Sequence, residues 1–305
     1  IATKGKYHPL VRPALLASLF GYPLGGISAF IDMGRYWNFY NMFLPSQMNL
    51  NSVMLEVGLC VTAYVVVLMI EFSPVILEKF KGYALKKKLD KLLFIFIALG
   101  VLLPTMHQSS LGSLLIAMGY KVDALWQSSY LMPLFAILSA MAMGFSIVIF
   151  EASMVAVGFR RHSETHLLKG LGKVVQALLA VFLILRFGDL VMRDAISGAF
   201  NGSFKANMFL LETLLFIIPL VILSSNKYRN KGSYLFIAGF TMLCAGALYR
   251  FNAFLISWTP NASDSVIYFP SSQELLVSIG IIAMEVLGYI LLVKLLPVLP
   301  KEEHA

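Results

Sequence analysis

The sequence predicts an all-α integral membrane protein of eight transmembrane helices arranged as two four-helix bundles, and three observations carry that prediction. Of the 305 residues, 59% are hydrophobic and only 13% charged, whereas a soluble domain carries about 25% charged residues. Crossing about 30 Å of hydrocarbon takes roughly 20 apolar residues of helix, and eight such stretches account for most of the chain. The basic residues fall on alternate connections between them.

The spans read as Val11–Met33, Ser52–Glu78, Leu89–Met106, Tyr130–Val157, Leu168–Ile196, Asn207–Ser224, Ser233–Trp258 and Gln273–Leu296. Lys4, Lys6 and Arg12 precede the first. Lys79, Lys81, Lys86, Lys87, Lys88 and Lys91 join the second to the third, Arg160, Arg161, Lys169 and Lys173 the fourth to the fifth, and Lys227, Arg229 and Lys231 the sixth to the seventh. The opposite connections hold only Arg35, Lys121 and Lys205. The positive-inside rule then puts both termini in the cytoplasm and the longer Trp- and Tyr-bearing loops outside. The net charge of +8 thus reflects membrane orientation, and a nucleic-acid partner is not expected. Because the chain opens on Ile1 with no signal segment before the first span, its true N-terminus is expected to lie further upstream.

Asp32, Asn51 and Glu56 find counterparts in Asp189, Asn207 and Glu212 at nearly constant offset. This suggests a parallel repeat of two bundles, residues 1–157 and 158–305. Cys60 and Cys244 each lie alone inside an apolar stretch, which excludes a disulfide framework, a CxxC redox pair or an iron–sulfur cluster held by this chain.

An ionisable group at the bilayer centre costs on the order of 3 kcal/mol or more, so each one needs a partner, a water-filled cavity or a task. Asp32, Glu56, Glu71, Glu151, Arg186, Asp189, Arg193, Glu212, Arg250 and Glu285 all fall within or at the edge of spans. Glu56 and Glu71 share one helix, about 22 Å and about 60° apart, so they lie on nearly one face. With Glu151 at a depth comparable to Glu71, the three suggest a water-bridged proton path from the cytoplasm. The alternative is that Glu56 caps a helix start while Glu71 and Glu151 snorkel to the interface. For Arg186, Asp189 and Arg193, spaced i, i+3 and i+7 on one face, an ion-pair ladder locking two bundles together is favoured over a relay, with Arg250 and Glu212 joining it.

The third span runs out through Leu103-Pro104-Thr105-Met106-His107-Gln108-Ser109-Ser110-Leu111-Gly112-Ser113, read as a polar loop at the outer surface. His107 is the histidine on that side; His8, His162, His166 and His304 fall on the cytoplasmic side. A bis-histidine haem needs two facing imidazoles inside the membrane, so haem is not expected on this chain. An imidazole can instead hydrogen-bond a carbonyl and pass a proton near neutral pH. A slot for a quinone ring is offered by Asp32, Arg35, Glu56, His107, Gln108, Trp126 and Tyr130, beside the helix-breaking Tyr22-Pro23 and Gly25-Gly26. The residues alone favour a packed polar loop over that pocket.

The runs Tyr7-His8-Pro9-Leu10-Val11-Arg12-Pro13-Ala14-Leu15-Leu16, Ile31-Asp32-Met33-Gly34-Arg35-Tyr36-Trp37-Asn38, Leu103 to Leu111, and Gly144-Phe145-Ser146-Ile147-Val148-Ile149-Phe150-Glu151 resemble the NrfD/PsrC family from Tyr7 to Pro300. Within it, the likeness is strongest to the HybB-type membrane subunits of periplasmic nickel–iron uptake hydrogenases. The resemblance implies an inner-membrane subunit without a cofactor of its own. It would exchange electrons with a periplasmic ferredoxin-like iron–sulfur subunit, beside the hydrogenase large and small subunits, and bind menaquinone or ubiquinone near the periplasmic face. It also implies roles for Arg12, Tyr22, Asp32 and His107 at the quinone and for Glu56, Glu71 and Glu151 along a proton route. Chains of this type carry further helices ahead of the Tyr7–Leu16 run, so N-terminal helices of a longer protein are expected to be missing. Three rival readings stay open: another redox partner, a secondary transporter, and an inert anchor whose charges merely pair.

Overall fold

The computed structural model describes residues 5–160, 164–259 and 268–299; Lys4, Arg161, His162 and His304 lie outside them. Among the described residues the chain forms α1 (His8–Asp32), α2 (Val53–Lys79), α3 (Tyr83–Met118), α4 (Met132–Gly158), α5 (Thr165–Met192), α6 (Phe204–Ser224), the single turn α7 (Asn226–Arg229), α8 (Gly232–Phe251) and α9 (Ser272–Leu295). Eight of these are long and apolar enough to cross a membrane, as the hydropathy requires, and no strand occurs among them beyond an isolated bridge between Val122 and Trp258.

Local chemistry sets the helix starts. Ser52, Ser203 and Ser271 accept a backbone N–H three residues on, and at α9 Glu274 completes a capping box. Proline occupies the first turns of α1 and α4, where its missing N–H costs nothing. Interior prolines at 13, 23, 74, 104 and 219 are kept, as spans allow when neighbouring groups satisfy the freed carbonyls.

The expected loop after Met106 is instead helix. α3 runs unbroken for 36 residues, roughly 54 Å at 1.5 Å per residue, with His107 inside it. Thr105 Oγ1 donates to the Val101 carbonyl at 2.7 Å and Ser110 Oγ to the Met106 carbonyl at 2.9 Å. Hydroxyls turned back onto their own helix let a polar run continue it.

The contacts divide the chain into two compact units, one of residues up to Ser110 together with those from Pro270 on, the other Leu111–Phe269. The sequence repeat places the division at 157/158. The contacts differ because α4 packs on α5 and α8, while α9 packs on α1. In the first unit α1 lies between α2 and α9. Its core gathers Tyr64, Val67 and Leu68 with Leu15, Leu19, Tyr22, Phe96, Leu99 and Leu103. Side chains such as Val101, Leu102, Leu276 and Ile282 face outward, as lipid-facing helices require. In the second unit α4, α5, α6 and α8 form a four-helix bundle. Its aromatic core packs Phe182 edge-on to Phe135 and Tyr249 and tilted against Phe216.

Candidate functional site

In the first unit, three helices bring together polar aromatic groups that lie far apart in sequence. Tyr22 of α1 meets Tyr64 of α2 edge-on, with centroids 4.4 Å apart, and His107 of α3 with centroids 6.0 Å apart. Tyr22 is ten residues from the Asp32 end of α1 and Tyr64 eleven from the start of α2, so the cluster lies about 15 Å in from those helix ends. It is a site within the spans, not in a surface loop.

Below it on α2 is Glu71, seven residues after Tyr64 and therefore on the same helix face. Its half-buried carboxyl rests against the α3 backbone at Gly100, where an added Cβ would stand 2.7 Å from Oε1. The glycine is the space that holds the carboxyl. Glu285 of α9 repeats the arrangement against α1: a Cβ at Gly21 would lie 3.2 Å from its Oε1.

The other predicted residues fall elsewhere. Glu56 is exposed in the first turn of α2, where a carboxylate suits the helix N-terminus. Asp32 and Arg35 are exposed at and beyond the far end of α1. Arg12 lies ten residues the other way from Tyr22, about 15 Å along the helix. Its Nη2 pairs with Glu78 Oε2 at 2.8 Å and its Nη1 donates to the Pro297 carbonyl at 2.9 Å, while Lys86 reaches the same Glu78 oxygen at 3.2 Å. One quinone ring cannot touch Arg12, Tyr22 and Asp32 together.

Glu151 is half-buried on α4 of the second unit. Trp126 and Tyr130, expected beside a quinone, part company: Tyr130 is exposed, and Trp126 is buried with its Nε1 donating to Glu212 Oε2 at 2.8 Å. Glu212 also accepts from Asn252 Nδ2 at 2.8 Å and pairs with Arg186. The Arg186 guanidinium stacks over Phe209 and Tyr249, 4.8 and 5.1 Å from their centroids. Asp189 bonds Arg193 and Ser128, each at 2.8 Å. The ladder is therefore an ion-pair network, as read from spacing, but it ties α5 to α6 and to the segment before α4 inside one unit. Arg250 Nη1 donates to the Gly246 carbonyl at 3.1 Å.

Sequence reasoning missed Tyr64, although its seven-residue spacing from Glu71 was available as a signal. Nothing in one sequence marks Gly21 and Gly100 as carboxylate cradles.

Eight spans with tyrosine, histidine and unsalted carboxyls facing inward define a polytopic membrane protein with a polar, titratable interior. Residues 2–257 match the family model described as polysulphide reductase, NrfD. The chain belongs to the NrfD family. It is 48% identical over 302 residues, 98% of this chain and 76% of the relative, to the probable Ni/Fe-hydrogenase 2 b-type cytochrome subunit of Escherichia coli (strain K12). It is 26% identical over 281 residues, 83% of this chain and 67% of the relative, to the menaquinone reductase, integral membrane subunit, of Nitratidesulfovibrio vulgaris.

The first of these names corrects the expectation that this chain binds no haem, because a b-type cytochrome is a haem protein. The described imidazoles are His107 inside α3 and His8 and His166 in the first turns of α1 and α5. They do not supply two facing axial ligands within the spans. A second imidazole would have to come from beyond the described residues.

Proposed function

We propose that the chain is the quinone-reactive, proton-conducting membrane subunit of a hydrogenase complex in the bacterial inner membrane. It passes electrons between a periplasmic iron–sulfur partner and menaquinone or ubiquinone. The observation that carries this reading is the convergence of Tyr22, Tyr64 and His107 inside the spans, with Glu71 on the Tyr64 face of α2. The names of the two relatives support it, one a hydrogenase subunit and the other a menaquinone reductase subunit.

Reducing a quinone takes two electrons and two protons. Tyr22 and His107 are donors able to hold the carbonyl oxygens of the ring and release protons to them, and the leucines packed around Tyr64 make the surroundings apolar. Asp32 lies on the outer approach, and Glu56 stands at the outer end of the proton route. Arg12, tied to Glu78 and Pro297, serves to fasten α1. With the orientation given by the basic connections, Glu71 and Glu151 lie in the cytoplasmic halves of α2 and α4, and protons enter there. Electrons from outside meeting protons from inside would make the reaction electrogenic.

The test is hydrogen-driven reduction of a short-tailed quinone by the complex in liposomes, alongside hydrogen oxidation by a soluble viologen dye. Tyr22→Phe and His107→Gln are expected to lower quinone turnover at least about tenfold with dye reduction unchanged, and Glu71→Gln to lower internal proton uptake. Unchanged quinone turnover in both Tyr22 and His107 variants refutes the site. Full charge movement in Glu71→Gln and Glu56→Gln refutes the path.

A further inference from the structure

Helix α9 contributes little to the interior: Val293 is its one buried residue, and between Leu275 and Leu292 only Ile281, Glu285, Gly288, Tyr289 and Leu292 are half-buried rather than exposed. The spacing i, i+4, i+7, i+8 and i+11 is that of a single helix face. One of the five is a carboxylic acid, near the middle of a 24-residue span, where an unneeded charge is costly. The seam with α1 is built around it. The Glu285 carboxyl fills the space left by Gly21, and the Phe20 ring fills the space left by Gly288, where a Cβ would lie 2.6 Å from Cε1. No ion pair to Glu285 occurs among the described residues.

The titratable groups on the two packed helices can be named. α1 carries His8, Arg12, Tyr22 and Asp32; α9 carries Glu274, Tyr289 and Lys294. Arg12 is engaged with Glu78 and Pro297, nine residues from Gly21 and so about 13 Å along the helix. Tyr289 lies one turn from Glu285 with its hydroxyl buried, and Tyr22 immediately follows the glycine that Glu285 touches.

We propose that Glu285 is a further proton-relay residue, delivering protons to the Tyr22–His107 site along the α1–α9 seam; this rests on the quinone-reducing reading given above. A proton taken from the cytoplasmic side past Tyr289 forms the O–H bond of the Glu285 carboxyl. That bond breaks as the proton moves toward Tyr22 and a new O–H bond forms on the quinone oxygen. The electrons come from the iron–sulfur partner, and Glu285 returns to a carboxylate. A purely structural acid would use the same cradle for packing alone, which an isosteric amide preserves.

The experiment compares wild type, Glu285→Gln, Glu285→Asp and Tyr22→Phe in the liposome assay over a range of pH. Glu285→Gln is expected to lose at least about tenfold of quinone turnover and to flatten the pH–rate profile, with dye reduction unchanged. Glu285→Asp, which keeps the acid, is expected to recover most of the rate and the wild-type profile. Wild-type turnover and profile in Glu285→Gln, while Tyr22→Phe is impaired, overturns the relay and leaves the quinone site standing. Equal impairment of the Gln and Asp variants likewise overturns it, because shape rather than the proton would then matter. Absence of quinone reduction by the wild-type complex removes the reading beneath both.

Discussion

Replacing Glu212 by alanine is expected to be among the most destabilising single changes in the protein. Glu212 and Arg186 are both buried, with side chains 0% and 4% exposed, and the carboxylate also accepts from Trp126 and Asn252. Removing one member of such a pair leaves an uncompensated buried charge, at a cost of about 3–5 kcal/mol. The two stranded hydrogen-bond donors add less, since such bonds between membrane helices average about 0.6 kcal/mol. The total is about 4–6 kcal/mol; its lower end is about three decades in the folded-to-unfolded ratio. Unfolding of the purified complex by a graded detergent denaturant would measure it. Glu212→Ala should unfold far earlier than wild type, whereas Arg186→Met combined with Glu212→Met should recover much of the loss, because an apolar pair of similar size leaves no orphaned charge. A single variant as stable as wild type, or a double variant no better than the single, would refute the reasoning.

Three further outcomes follow from the geometry. Arg12→Ala breaks a pair whose side chains are about one-third exposed, so a loss of only about 0.5–1 kcal/mol is expected. The KM for quinone should stay unchanged in steady-state assays, against the quinone-binding role that the family resemblance implied. Gly112→Ala sets a Cβ 2.5 Å from the Met132 carbonyl and the Pro133 Cα; backbone cannot step aside as a side chain can, and about 1–3 kcal/mol of stability should be lost in the same unfolding assay. Gly100→Val pushes the Glu71 carboxyl from its cradle, and proton uptake in liposomes should fall with it while Glu71 itself remains.

Hydropathy alone located every span, because a helix in lipid must be apolar over its length whatever it packs against. What hydropathy could not resolve was the run from Leu103 to Ser113. Its hydroxyls look like a loop until Thr105 and Ser110 are seen bonding their own helix. Periodicity placed Glu56 and Glu71 on one helix, but their surroundings are tertiary: Glu56 is exposed, and Glu71 is lodged against another helix. Trp126 shows the same limit. Its position beside an outer connection suggested a ligand slot, yet its indole N–H is committed to Glu212, 86 residues away. Glu56 and Glu212, matched by the repeat, ended in opposite environments, since only the second meets an arginine. The Tyr22–Tyr64–His107 cluster was legible in two of its three members. Tyr64 was passed over because a lone tyrosine in an apolar span reads as packing.

The most direct measurement is an experimental structure of the complex with a quinone or quinone-site inhibitor bound. The ring should lie within hydrogen-bonding reach of Tyr22 and His107 and against Tyr64. A ring seated elsewhere, such as the open groove of the second unit lined by Tyr120, Asp123, Gln127 and Thr259, would contradict the account.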